Sequence, residues 1–98
     1  MIGVFVAFRC GDRFDEQAVR KIAAAARATF EGLPGLRSKT FTFHRGKREA
    51  VNFYVWESEE AARAFFTEAL RERVAATYGV PPDIDFVEIA ALVDNGCP

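Results

Sequence analysis

Leu36-Arg37-Ser38-Lys39-Thr40-Phe41-Thr42-Phe43-His44 alternates along its length and is followed, after the basic Arg45-Gly46-Lys47-Arg48, by Glu49-Ala50-Val51-Asn52-Phe53-Tyr54-Val55-Trp56. Period-two runs of β-branched and aromatic residues on either side of a short polar loop read as a β-hairpin. What flanks the hairpin decides the fold. Upstream, Val19, Ile22, Ala26, Phe30 and Leu33 recur at steps of three and four between Asp15 and about Gly32, the stripe of an amphipathic helix. Asp15 is its N-cap, Phe14 and Val19 form a hydrophobic staple, and Gly32 with Pro34-Gly35 ends it. Before that helix, Ile2 to Arg9 is a short β-branched and aromatic run closed by Gly11-Asp12, a buried strand.

Downstream, Ser58 caps a second helix. Glu59 and Glu60 sit at its positive end, its apolar stripe is Ala62, Phe65, Phe66, Ala69 and Leu70, and it runs to about Tyr78 before Gly79. Pro81-Pro82 cannot continue it, and Ile84 to Val93 reads as a last strand before an Asn95-to-Pro98 tail. The order is βαββαβ over one domain spanning residues 1–98. This is an α+β, ferredoxin-like arrangement: a four-stranded antiparallel sheet with two helices on one face.

Half of the 98 residues are apolar and ten are Phe, more than two helices on one sheet face absorb. In the first strand Phe5 and Ala7 oppose Val4, Val6 and Phe8; in the last, Val87 and Ile89 oppose Ile84 and Phe86. An antiparallel sheet with one wet face alternates apolar and polar, so the second face is expected to be covered by another copy of the chain. A two-fold contact of roughly 800 Å² per partner suffices.

Charge is nearly balanced, 13 Lys+Arg against 14 Asp+Glu, which argues against nucleic acid or an anionic membrane as a partner chosen by charge. The RNA-recognition motif shares the βαββαβ order, but the Arg45-Gly46 stretch continues into Lys47, Arg48 and Glu49 rather than the aromatic pattern its third strand requires. No apolar run reaches about 18 residues, and no basic leader precedes the first strand. A soluble, cytoplasmic chain is expected. Cys10 and Cys97 read as free thiols. One His and two distant Cys make no closed zinc site, and no GxGxxG, P-loop or G-x-S-x-G motif is present. No metal and no cofactor are expected.

Hairpin register decides which side chains share a face. An odd loop pairs Phe41 and Phe43 with the Val51, Phe53 and Val55 side, and leaves Ser38, Thr40, Thr42 and His44 with Asn52, Tyr54 and Trp56. That register is preferred because it keeps polar atoms together. Asn52 and Trp56 then lie roughly 13 Å apart at about 3.3 Å per residue, a span suited to a flat aromatic ligand. Phe65, Phe66 and Tyr78 would add apolar walls. Each residue also has a plain structural reading: Trp56 caps the core, Tyr54 reaches water, Asn52 satisfies backbone groups, and His44 is a solvated loop residue. With an ordinary pKa near 6.5, His44 also suits a general base.

Pro34-Gly35-Leu36 and the stretch Asn52-Phe53-Tyr54-Val55-Trp56-Glu57-Ser58-Glu59-Glu60-Ala61-Ala62 resemble the antibiotic-biosynthesis monooxygenase superfamily of dimeric α+β barrels. Tyr78-Gly79-Val80-Pro81 and Val93-Asp94-Asn95 look like its YdhR-type group, so the likeness spans nearly the whole chain. The resemblance implies a homodimer joined through the sheet face and a cofactor-free oxidation of a phenolic small molecule, in which the deprotonated substrate itself reduces oxygen. It implies that Asn52 holds the substrate carbonyl or enolate oxygen and that Trp56 walls the site and hydrogen-bonds a peroxy intermediate. His44 approximates the histidine of those enzymes. Their tyrosine early in the second helix is replaced here by Ala62. The other reading is a dimer that binds a small molecule, or is associated with stress, without chemistry.

Overall fold

The computed structural model describes residues 1–96; the thiol expected at Cys97 lies outside them. Four strands, β1 (Ile2–Arg9), β2 (Leu36–His44), β3 (Glu49–Trp56) and β4 (Asp83–Glu88), form one antiparallel sheet in the order β2-β3-β1-β4. Helices α1 (Glu16–Phe30), α2 (Glu59–Phe65) and α3 (Glu68–Tyr78) fill the two crossovers. The fold is the ferredoxin-like α+β arrangement that the element order predicts.

Local chemistry sets the ends. Asp15 accepts hydrogen bonds from the Gln17 and Ala18 N–H groups, and Val19 is buried a turn later. Ser58 accepts from Ala61 N–H, and Gly79 closes α3 in the left-handed conformation with φ 80°. The single second helix expected from the sequence is two. Phe66 leaves helical geometry (φ −86°, ψ 71°), and Thr67 starts α3 as a fresh N-cap by accepting from Leu70 N–H. The break turns both Phe65 and Phe66 toward the core, where their rings meet at 5.0 Å and 83°. A continuous helix would splay adjacent residues about 100° apart. β4 is also shorter than expected, ending at Glu88; beyond it Ile89 N–H still reaches Met1 C=O.

The hairpin register differs from the preferred one, and this relocates half of the expected site. The loop Arg45–Arg48 holds four residues, so His44 pairs with Glu49, Phe43 with Ala50, Phe41 with Asn52 and Lys39 with Tyr54. Phe41 and Phe43 therefore face the helices, and Thr40, Thr42 and His44 face the other way. The helices supply the reason: Phe30 of α1 meets Phe41 at 6.1 Å, and Phe14 just before α1 meets Phe43 at 6.2 Å. Rings buried under helices gain more than rings left on an open sheet. The loop is fixed by Arg48 N–H to Arg45 C=O and by Arg48 C=O accepting from Cys10 and Gly11 N–H.

The core lies between this face and the helices. Val4, Val6, Phe8, Ala50, Tyr54, Trp56 and Ala62 are at most 3% exposed. Cys10 is buried with no disulfide partner among the described residues, and burial pushes its thiol up. Among the described residues no helix is long and apolar enough to cross a membrane.

Candidate active site

Between the inner sheet face and helices α1 and α3 lies a cavity of about 200 Å³. Val6, Phe8, Asn52 and Tyr54 form its floor; Phe30, Phe65, Phe66, Leu70 and Tyr78 wall it. The surroundings are almost wholly apolar, so each polar group in them has a defined task.

Among the described residues Asn52 is the buried polar one, 4% exposed, and its Nδ2 donates to the Tyr78 hydroxyl at 3.3 Å. Strand pairing places it: Asn52 lies between Val6 of β1 and Phe41 of β2 with its side chain on the helix face. Tyr78 is held from the other side, stacked on Phe8 at 3.8 Å and 10°. Burial pushes the Tyr78 phenol up, partly offset by the Asn52 hydrogen bond. Burial pushes Tyr54 up more strongly, with Tyr78 adding to the effect. Both phenols stay protonated at neutral pH and act as donors or acceptors, not as anions.

Trp56 occupies a different place from the one expected. It is 1% exposed, stacks on Tyr54 at 6.1 Å and 12°, touches Phe65 at 5.1 Å, and stands one layer behind the cavity lining. Its Nε1 is buried without a hydrogen-bond partner among the described residues.

Of the residues singled out from the sequence, Asn52, Tyr54, Phe65, Phe66 and Tyr78 converge on the cavity. Thr40, Thr42 and His44 do not. Thr42 Oγ1 donates to Val51 C=O, and exposed His44 accepts the Lys47 N–H on Nδ1 at 3.1 Å, closing the hairpin loop. Glu49, across from His44, is engaged by Arg9. The four-residue loop thus removes His44 from the site.

Two cations at the cavity were missed. Arg73 of α3 lies at its edge, and Lys39 of β2 extends its Nζ over the rings of Phe30, Phe41 and Tyr54 at 3.5, 4.2 and 4.4 Å. The available signal was a lysine in the same register as Phe41 and Phe43. Burial lowers the Lys39 ammonium from 10.5 to about 7. The unfolded chain keeps this proton up to about pH 10.5 while the folded chain releases it near 7, so stability is expected to rise with pH between those values. Urea midpoints across this window check it. The rise should vanish in Lys39→Met, and an equal slope in both proteins would refute it.

No family model matches the sequence, and no curated protein matches it. Solved structures do. A monooxygenase from the gene ActVA-Orf6 of Streptomyces coelicolor, in complex with nanaomycin D, superposes with a TM-score of 0.69 at 22% identity, covering 97% of this chain and 92% of that one. SnoaB, a cofactor-independent oxygenase from Streptomyces nogalater, gives 0.67 at 17% identity over 94% and 95%. The chain has the fold of the antibiotic-biosynthesis monooxygenases. The NE2512 protein of unknown function from Nitrosomonas europaea shares this fold, with a TM-score of 0.73 at 20% identity over 98% and 95%. At these identities the fold is what is shared.

Proposed function

We propose that this protein is a homodimeric, cofactor-independent monooxygenase that oxidises a hydrophobic phenolic compound with molecular oxygen. The observation that carries the reading is the buried Asn52 amide, hydrogen-bonded to Tyr78 on the floor of an apolar, ring-lined cavity. Supporting it is the fold shared with ActVA-Orf6 and SnoaB, named as a monooxygenase and a cofactor-independent oxygenase.

The chemistry follows from the site. An aromatic hydroxyl compound stacks among Phe65, Phe66, Tyr54 and Tyr78, and Asn52 Nδ2 donates to the oxygen on which negative charge grows as the proton leaves. The electron-rich anion reduces oxygen itself. For an anthrone, one oxygen atom becomes the new carbonyl, the other leaves as water with the two hydrogens of the ring CH₂, and a quinone results. Trp56 serves as the support behind Tyr54, and Tyr78 holds the Asn52 amide in orientation.

The assay is oxygen uptake and quinone absorbance with an anthrone under air. Turnover above buffer that depends on Asn52 supports the reading. Rates equal to buffer across a panel of anthrones and hydroquinones would refute it and leave small-molecule binding as the function.

The homodimer rests on the open sheet face. Phe5 is 41% exposed there and packs on Phe53 at 4.5 Å. Gly3 leaves room for the Phe53 ring: a Cβ at that position would meet it and Val87 at 3.0 Å. Thr40, Thr42, His44, Asp83 and Asp85 rim this apolar centre, the anatomy of an interface. Sedimentation should give twice the 10.9 kDa chain mass, and Phe53→Asp should shift it to the monomer. A wild-type monomer at micromolar concentration would refute this part.

A further inference from the structure

The main cavity shares Phe30, Lys39 and Phe41 with a second, polar hollow of about 250 Å³ that also takes in Arg27, Glu31, Arg37 and Ser38. Lys39 thus stands in the partition between an apolar chamber and a polar vestibule. Its surroundings are unusual for a lysine. Among the described residues no carboxylate lies within ion-pair distance of Nζ, and Glu31, the acidic group in the vestibule, pairs with Arg27 at 3.7 Å. No Asp or Glu lines the main cavity, whose charged residues are Lys39 and Arg73. Lys39 and Asn52 are diagonal neighbours on one sheet face, because Lys39 pairs with Tyr54. Such neighbours are about 7–8 Å apart, so the long Lys39 side chain and the Asn52 amide can address the same ligand oxygen.

We propose that Lys39 is the proton acceptor and counter-ion of this cavity, and that its ligand class is therefore an aromatic hydroxyl compound acidic enough to yield its proton to an amine. The proposal rests on the oxygenase reading and names the base that reading needs. The ligand O–H bond breaks with its electron pair left on oxygen, and the proton forms a new N–H bond on Nζ. A neutral phenol and a neutral amine become a phenolate and an ammonium, with no change in total charge.

Two opposing effects poise Lys39 for this exchange. Loss of water favours the neutral amine, while the faces of Phe30, Phe41 and Tyr54 favour the cation, so both forms are populated near neutrality. The other groups facing it do not compete for the role. From β3 comes Tyr54, from α3 Tyr78 and Arg73, and from the vestibule Arg27, Glu31 and Arg37. The two tyrosines are pushed up by burial, a guanidinium offers no acceptor, and Glu31 is engaged.

The test uses para-nitrophenol, whose phenolate absorbs visible light, titrated with the intact protein below the pH at which the free phenol ionises. The expected result is a phenolate band on wild-type protein that falls about tenfold or more in Lys39→Met. Lys39→Arg, which keeps the charge but supplies no neutral amine, should bind phenolate only with release of the phenol proton to the buffer, read from binding heats in buffers of different ionisation enthalpy, whereas wild-type protein near pH 7 keeps that proton. Circular dichroism establishes that the variants fold. Failure of wild-type protein to bind the phenol, binding without the band, or an equal band in wild type and Lys39→Met would each overturn the assignment. The oxygenase reading fails separately. A Lys39-dependent band with no oxygen uptake from any anthrone refutes oxidation and leaves Lys39 as the proton acceptor. Oxygen uptake with an unchanged pH profile in Lys39→Met does the reverse.

Discussion

Asn52→Ala is expected to slow anthrone oxidation by about 100-fold, corresponding to about 2.7 kcal/mol at the transition state. The size follows from where the amide sits. A donor in an apolar cavity stabilises developing negative charge far more than one in solvent. The loss should appear mainly in kcat, because stacking among Phe65, Phe66 and Tyr54 binds the neutral substrate with or without the amide. Removing one buried hydrogen bond to Tyr78 costs about 1 kcal/mol of stability. Steady-state kinetics with oxygen detection checks this, alongside Asn52→Asp, whose carboxylate repels an anion and should be no better than alanine. A change below threefold in both variants would remove Asn52 from the mechanism.

The largest effect on stability is expected at Trp56. Trp56→Ala deletes the largest fully buried side chain from the cluster of Tyr54, Phe65 and Phe66 and should cost about 3–5 kcal/mol. For a small domain that is a large share of the total, so much of the variant should be unfolded at moderate temperature. Trp56→Phe should cost much less. It shrinks the ring but also removes the buried Nε1–H, which has no partner among the described residues and whose desolvation costs about 1–3 kcal/mol. Urea unfolding followed by circular dichroism suits the comparison, since Trp56 is the only tryptophan and its fluorescence is lost in both variants. Equal destabilisation by Ala and Phe would mean that the indole N–H, not the packing, matters.

The element order and strand limits through β3 were legible because each carries a local signal: Asp15 and Ser58 as caps, and the change of period between Arg9 and Val19. The cavity floor was legible in part because Asn52 and Tyr54 share a face whatever strand lies beside them. The partner strand was not legible. β3 is apolar in both registers, with Val51, Phe53 and Val55 on one side and Ala50, Tyr54 and Trp56 on the other, so its pattern cannot select a register for β2. That choice was made by Phe14 and Phe30, which cover Phe43 and Phe41 from regions distant in sequence. The break at Phe66–Thr67 was hidden by the same kind of non-local demand. An apolar stripe reads as one helix until the core requires two adjacent Phe side chains at once.

The four residues of the Arg45–Arg48 loop lie outside the cavity lining, yet they encode its chemistry. Adding or deleting one would slide β2 by one pairing position and exchange Lys39, Phe41 and Phe43 for Thr40, Thr42 and His44 on the helix side. A wall of amine and aromatic rings and a wall of hydroxyls and imidazole are therefore a single insertion apart. Variation among proteins of this architecture should accordingly be sought in hairpin length as much as in residue identity, since one indel rewrites three contact positions that no single substitution can reach.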